Sequence, residues 1–299
     1  MKLLKVKKFS CRPKKEPFCC YTERIDVFPR EVREHRERWE RGGALLVTFR
    51  GVFKERENHK KSPFSTTLVN GLKAKLFLQF FPLTPVPGEE LSLNFKNYLR
   101  ERFNIKGNLT FKCPFLENGR CSIYKDRPLF CRLFPIGPVF NECFVCAGEQ
   151  AFQEGRPIKK LQEVRKRLIS AHKKDFEEWN KIVRSLFEDE EVLTEVTEVL
   201  KDISKNPRKF YLMTRNPRYV TVLGIFTRKV HQLLGINPQA QFEVFERALL
   251  LAKEKGETVY ERAYLSIYRT IKSAYEHDVK VTKKKEELLE CLEKYALRD

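Results

Sequence analysis

The spacing of apolar residues predicts helix through much of the second half of the chain. Leu161, Val164, Leu168 and Ala171 recur at three- and four-residue steps, and Trp179, Ile182, Val183, Leu186 and Phe187 make a second stripe. Asn237-Pro238 offers a capping residue and a proline suited to the first helical turn. The stripe that follows, Phe242, Phe245, Leu249 and Ala252, runs on to Gly256. Residues 257–276 and 282–297 predict two more helices, and NPRKF (206–210) and NPRYV (216–220) read as two similar turns.

The first half is less regular. Pro29–Trp39 predicts a helix closed by Gly42-Gly43, and residues 91–103 predict an amphipathic helix through Leu91, Phe95, Tyr98, Leu99 and Arg102. Residues 44–53 and 66–81 are apolar and β-branched, which suits either strands or short buried helices, and their period does not separate the two. PLTPVPG (82–88) breaks whatever precedes it, and 111–146, rich in Pro and Gly, predicts loop with short turns. The first 20 residues, with Pro13 and Pro17, read as an irregular basic segment.

Composition narrows the class of protein. A chain of 299 residues with 41% hydrophobic content can bury a core and is not a disordered polymer. No run of about 18 apolar residues occurs, and MKLLKVKK is not followed by an apolar stretch. The expectation is a cytoplasmic protein with no membrane partner. The net charge of +19 favours polyanionic partners, RNA, DNA or an acidic protein. On 159–174, Lys159, Lys166 and Lys173, with Lys160, Arg167 and Lys174, form two basic rows away from the apolar stripe. A solvated face is the default reading of them. Tyr260, Tyr264 and Tyr268 read as a core-edge stripe, and the five histidines, His35, His59, His172, His231 and His277, as surface or packing residues. No phosphate-binding glycine loop, HExxH or GxSxG motif occurs, so no catalytic residue is assigned and an enzymatic role stays open.

The cysteines change the picture most. Eight of nine fall at or before Cys146, and Cys291, between Leu288 and Leu292, reads as a small buried hydrophobe. Clustered cysteines without an export signal read first as metal ligands. Cys113 precedes Pro114, Gly119 lies two residues before Cys121, Pro128 three before Cys131, and Cys143 and Cys146 form a CxxC. Such turns give loops fixed shapes that can present several sulfurs at one point. The candidate ligands are Cys11, Cys19, Cys20, Cys113, Cys121, Cys131, Cys143 and Cys146. No histidine lies near 111–146 in the sequence, so all-thiolate binding of an iron–sulfur cluster or Zn²⁺ is expected. The wide, Pro-adjacent spacings lean toward iron–sulfur. Arg120, Arg127 and Arg132 are placed to offset thiolate charge.

Cys113-Pro-Phe-Leu, Gly119-Arg-Cys121-Ser-Ile-Tyr, Asp126-Arg-Pro and Cys131-Arg-Leu-Phe-Pro together closely resemble the YkgJ-type cysteine-cluster family, described as a zinc- or iron-chelating domain. The resemblance covers roughly residues 11–150. It departs at the start, where Cys11 is followed by seven residues before Cys19-Cys20 instead of the family's CxxCxxCC. There is a more distant resemblance to flagellin lysine N-methylases, whose activity is not carried over because no glycine-rich loop follows a strand. The expected fold is mainly α with irregular metal-stabilised loops: a cysteine-cluster metal-binding domain over 1–156, then a helical bundle over 157–299. Three functions fit this reading: a metal-binding protein, a metal-stabilised nucleic-acid-binding module, and a macromolecule-modifying or redox enzyme.

Overall fold

The computed structural model describes residues 20–21, 24–54, 66–67, 72–133, 158–188 and 217–260. At its centre is an antiparallel sheet. Strand β2 (Gly43–Lys54) pairs with β4 (Leu72–Pro82) from Gly43 opposite Pro82 to Lys54 opposite Leu72, with a register shift between Phe49 and Gly51. On its other edge β4 pairs with β1 (Ile25–Val27) at one end and with the short β3 (Thr66–Thr67) at the other. The apolar stretches 44–53 and 66–81 are therefore mostly strand.

The ambiguous period of these stretches has a physical cause. Ala44, Leu45, Leu46 and Val47 are all buried, because both faces of the sheet are covered. Leu45 and Val47, with Leu76, Leu78 and Phe80, face a core that includes Val32 and Trp39. The same core holds Phe176, Trp179 and Val183 from α6 (Lys173–Phe187) and Phe226 and Val230 from α7 (Pro217–Leu234). Ala44 and Leu46 face a second core. That one contains Phe95 and Leu99 from α3 (Leu93–Phe103), and Phe242, Phe245 and Leu249 from α8 (Pro238–Glu254). Val86 and Phe111 also belong to it, from β5 (Thr84–Pro87) and its antiparallel partner β6 (Leu109–Lys112).

The expectation of a mainly α fold ending in a helical bundle is overturned. The apolar stripes of the later helices meet the sheet of the first half, and the architecture is mixed α and β. Polar side chains bind the helices to strand backbone as well. Leu45 N–H donates to Gln241 Oε1 (2.8 Å), His231 Nε2 lies 2.7 Å from Leu45 O, and Val47 N–H donates to Thr227 Oγ1 (3.1 Å). Thr227, His231 and Gln241 are fully buried, so they satisfy the edge of β2 that a further strand would otherwise pair. Trp179 Nε1–H donates to Leu76 O (3.0 Å), on the stretch of β4 between its pairings with β1 and β3.

Helix ends follow the local sequence. Asn237 Oδ1 accepts from Gln239 and Ala240 N–H (2.9 and 3.3 Å), and Ser92 Oγ accepts from Phe95 N–H (3.2 Å) at the start of α3. The expected 29–39 helix is split at His35 into α1 (Pro29–Glu34) and α2 (Arg36–Gly42). The basic stretch 159–174 is likewise interrupted at His172, between α5 (Ile158–Ala171) and α6, so its rows are not carried by one helix. Lys166, Arg167, Lys173 and Lys174 are exposed, and Ala171 of the expected apolar stripe is exposed too. The boundary expected at 156–157, the turn at 206–210, most of the helix expected at 257–276, all of that at 282–297, and Cys291 lie outside the described residues. Among the described residues no helix is long and apolar enough to cross a membrane.

Candidate metal centre

Four of the eight candidate ligands lie in the described structure: Cys113 is buried, and Cys20, Cys121 and Cys131 are half-buried. Cys11, Cys19, Cys143 and Cys146 lie outside the described residues. Cys113 belongs to the first core, against which Cys20, Cys121 and Cys131 pack. Three chain segments thus pack on that core.

The first junction is between backbones. Cys113 N–H donates to Cys20 O at 2.6 Å, which sets the N-terminal cysteine beside the Cys113-Pro114 turn. The second segment is a hairpin, β7 (Leu116–Glu117) against β8 (Arg120–Cys121), with Leu116 opposite Cys121. Its two-residue turn, Asn118-Gly119, has φ of 47° and 71°, the left-handed pair that a tight hairpin turn requires. Cys113 and Cys121 thus flank one compact loop whose anchor is Phe115, fully buried and met edge-on by the rings of Trp39 (4.6 Å) and His35 (5.4 Å). Arg38 clamps the same loop: its guanidinium donates to Pro114 O (3.2 Å), lies over the Phe115 ring and pairs with Glu117. Gly42 leaves the space this needs, since a Cβ there would sit 2.2 Å from Pro114 Cβ.

The third segment is α4 (Leu129–Leu133), a five-residue helix with Cys131 at its middle and Leu129 and Leu133 buried. A helix this short does not hold itself. Its first N–H, at Leu129, donates to Glu31 Oε1 (2.7 Å), while Glu31 Oε2 accepts from Phe28 N–H (2.8 Å). Burial pushes the Glu31 carboxyl up to about 7, against the two N–H donors that favour its charged form. Next to Glu31, Arg30 binds Asp175 through Nε (2.8 Å) and Nη2 (3.0 Å), and His172 Nδ1 lies 2.6 Å from Asp175 Oδ2. Burial opposes ionisation of Asp175, but Arg30 and His172 together hold its pKa below the usual carboxylate value. His172 is therefore a carboxylate-paired, buried histidine, a relation its isolated place in the sequence does not reveal.

Two of the three arginines expected to offset thiolate charge, Arg127 and Arg132, have other partners. Arg127 stacks over the exposed Tyr124 ring at 3.9 Å, and Arg132 Nε–H donates to Arg127 O at 2.7 Å. Among the described residues no group of three or more His, Cys, Asp or Glu side chains makes a metal-ligand set. The structure brings Cys20 beside Cys113 and joins Cys113, Cys121 and Cys131 to one core, without assembling three of them around a point. As donors, sheltered thiols against an apolar core suit the thiophilic ions zinc and iron and not the oxygen-seeking calcium or magnesium.

Residues 87–147 match the family model CxxCxxCC, described as "Putative zinc- or iron-chelating domain". This is the family that the CSIYKDRPLFCRLFP stretch resembles. The match includes Cys113, Cys121, Cys131, Cys143 and Cys146 and is narrower than the expected 11–150, with Cys11, Cys19 and Cys20 preceding it. No curated protein and no solved structure matches the chain.

Proposed function

We propose that this protein binds zinc or an iron–sulfur cluster through cysteine thiolates. Cys113, Cys121 and Cys131 are supplied by the matched segment, Cys20 by the backbone bonded to Cys113, and the remaining ligands come from among Cys11, Cys19, Cys143 and Cys146. The observation that carries this reading is that three cysteine-bearing segments pack on one core, two of them inside the stretch that matches a chelating domain and the third bonded to it through Cys20. The elements are too short to fix themselves: two two-residue strands and one five-residue helix. A metal that cross-links such loops supplies order that the chain alone does not. The thiolates bind as anions, so the metal also removes protons from the cysteines when it enters.

The metal reading is tested by purifying the full chain without oxygen and measuring zinc, iron and sulfide per chain. Cys113→Ser, Cys121→Ser and Cys131→Ser should each lower the metal content. A chain that carries no metal, or three variants that all retain it in full, would refute the assignment. Iron with acid-labile sulfide and a brown colour identifies a cluster, and stoichiometric zinc in a colourless protein excludes one.

A further inference from the structure

We infer that Glu31 is a positioning residue of the metal centre, tying the helix that carries Cys131 to the start of α1; this rests on the metal reading above. Glu31 is buried, at 4% exposure, and each carboxylate oxygen serves a different element. Oε2 takes the Phe28 N–H ahead of α1, and Oε1 takes the Leu129 N–H that opens α4. The Glu31 carbonyl accepts from Trp39 Nε1–H (3.0 Å), so α2 joins the same bracket. Cys131 lies two residues beyond Leu129, within the same helical turn, and its neighbour Phe130 packs on Phe28 with ring centroids 6.0 Å apart. Fixing Leu129 to α1 therefore fixes the backbone that carries the Cys131 sulfur.

The chemistry of the side chain is specific. Two converging N–H donors call for two acceptor oxygens. Glutamine offers one oxygen and turns an NH₂ toward the other donor, and aspartate is one methylene too short to reach both. Groups that orient metal ligands without touching the metal change affinity by roughly 10–100-fold when altered.

The test compares full-length wild type, E31Q, E31D and Phe245→Leu, a cavity variant in the opposite core, all isolated without oxygen. Metal content, the rate of metal loss to excess EDTA and the thermal midpoint are measured for each. The expected result is metal loss about tenfold or more faster in E31Q and E31D, with Phe245→Leu lowering the midpoint but leaving the release rate at the wild-type value. If E31Q does not fold, E31D is read alone against Phe245→Leu. Wild-type release rates in the folded Glu31 variants, or equal acceleration by Phe245→Leu, would overturn the inference while leaving the metal reading intact. A wild-type chain with no metal would overturn both.

Discussion

The core around α8 and the corner around the cysteines are built by different means. On the α8 side, seventeen- and eleven-residue helices lay Phe242, Phe245, Phe95 and Leu99 against the sheet, and polar contacts finish the ends. Glu257 accepts from Lys106 and Asn108 N–H (2.8 and 2.7 Å), and the Tyr260 hydroxyl meets Thr110 Oγ1 (2.9 Å). At the cysteine corner the elements are two to five residues long, and a few cross-links do the holding: Arg38 on the hairpin, Glu31 on α4, and the Cys113–Cys20 backbone bond. Apolar burial over long elements stabilises the first region by itself. The second depends on a small number of directional bonds and, in our account, on a metal.

The largest effect is expected from removing a fully buried aromatic ring of the α8 core. Phe245→Ala should destabilise the protein by about 3–5 kcal/mol, read from denaturant midpoints. A loss under about 1 kcal/mol would mean that the α8 core does not carry the fold.

The next largest effect comes with pH. Burial lowers the His231 pKa from 6.5 to about 4, against the raising effect of its bond to Leu45 O. Above pH 6.5 the imidazole is neutral in both states and its contribution is complete. Between 6.5 and 4 only the unfolded chain takes up the proton, so stability falls by roughly 3 kcal/mol as pH drops through that window. Glu31, raised from 4.5 to about 7, acts in the opposite sense, losing stability as pH rises across that interval. The His231 contribution is therefore read as the difference between wild type and His231→Gln at pH 7 and pH 4.5. Parallel profiles for the two would contradict it.

A smaller effect sharpens the contrast at the other region. Gly42→Ala places a methyl 2.2 Å from Pro114 Cβ and should cost roughly 1–3 kcal/mol. Hydrogen exchange should show the loosening at 113–121 and not at 238–254. Uniform loosening would mean the two regions are not energetically distinct.

The sequence is most readable where a single helix face is buried. For α8, the Asn237 cap, the stripe from Phe242 to Ala252 and the Gly256 stop, with φ of 65°, all appear as expected. It is least readable where burial is two-sided, as in β2, since Leu45 and Leu46 face different cores and leave no period to read. A helical stripe says that a face is buried but not against what. Hence the stripe through Trp179, Val183 and Leu186 suggests a bundle, whereas these residues pack on a sheet. At the candidate site, Cys113, Cys121 and Cys131 stand out through their spacing and turn residues. Glu31 does not: its place in the first turn of α1 suggests a cap, while its bond to Leu129 joins residues 98 apart. His172 gives no better signal, because its partner Asp175 gains meaning only from Arg30, 145 residues away.

Whether thiolates of this chain hold a metal is decided by X-ray absorption at the zinc and iron edges of the 299-residue chain purified without oxygen. The account predicts a first shell of sulfur at roughly 2.3 Å, diminished in Cys113→Ser. A shell of nitrogen and oxygen alone, or a protein with no metal at either edge, would contradict it.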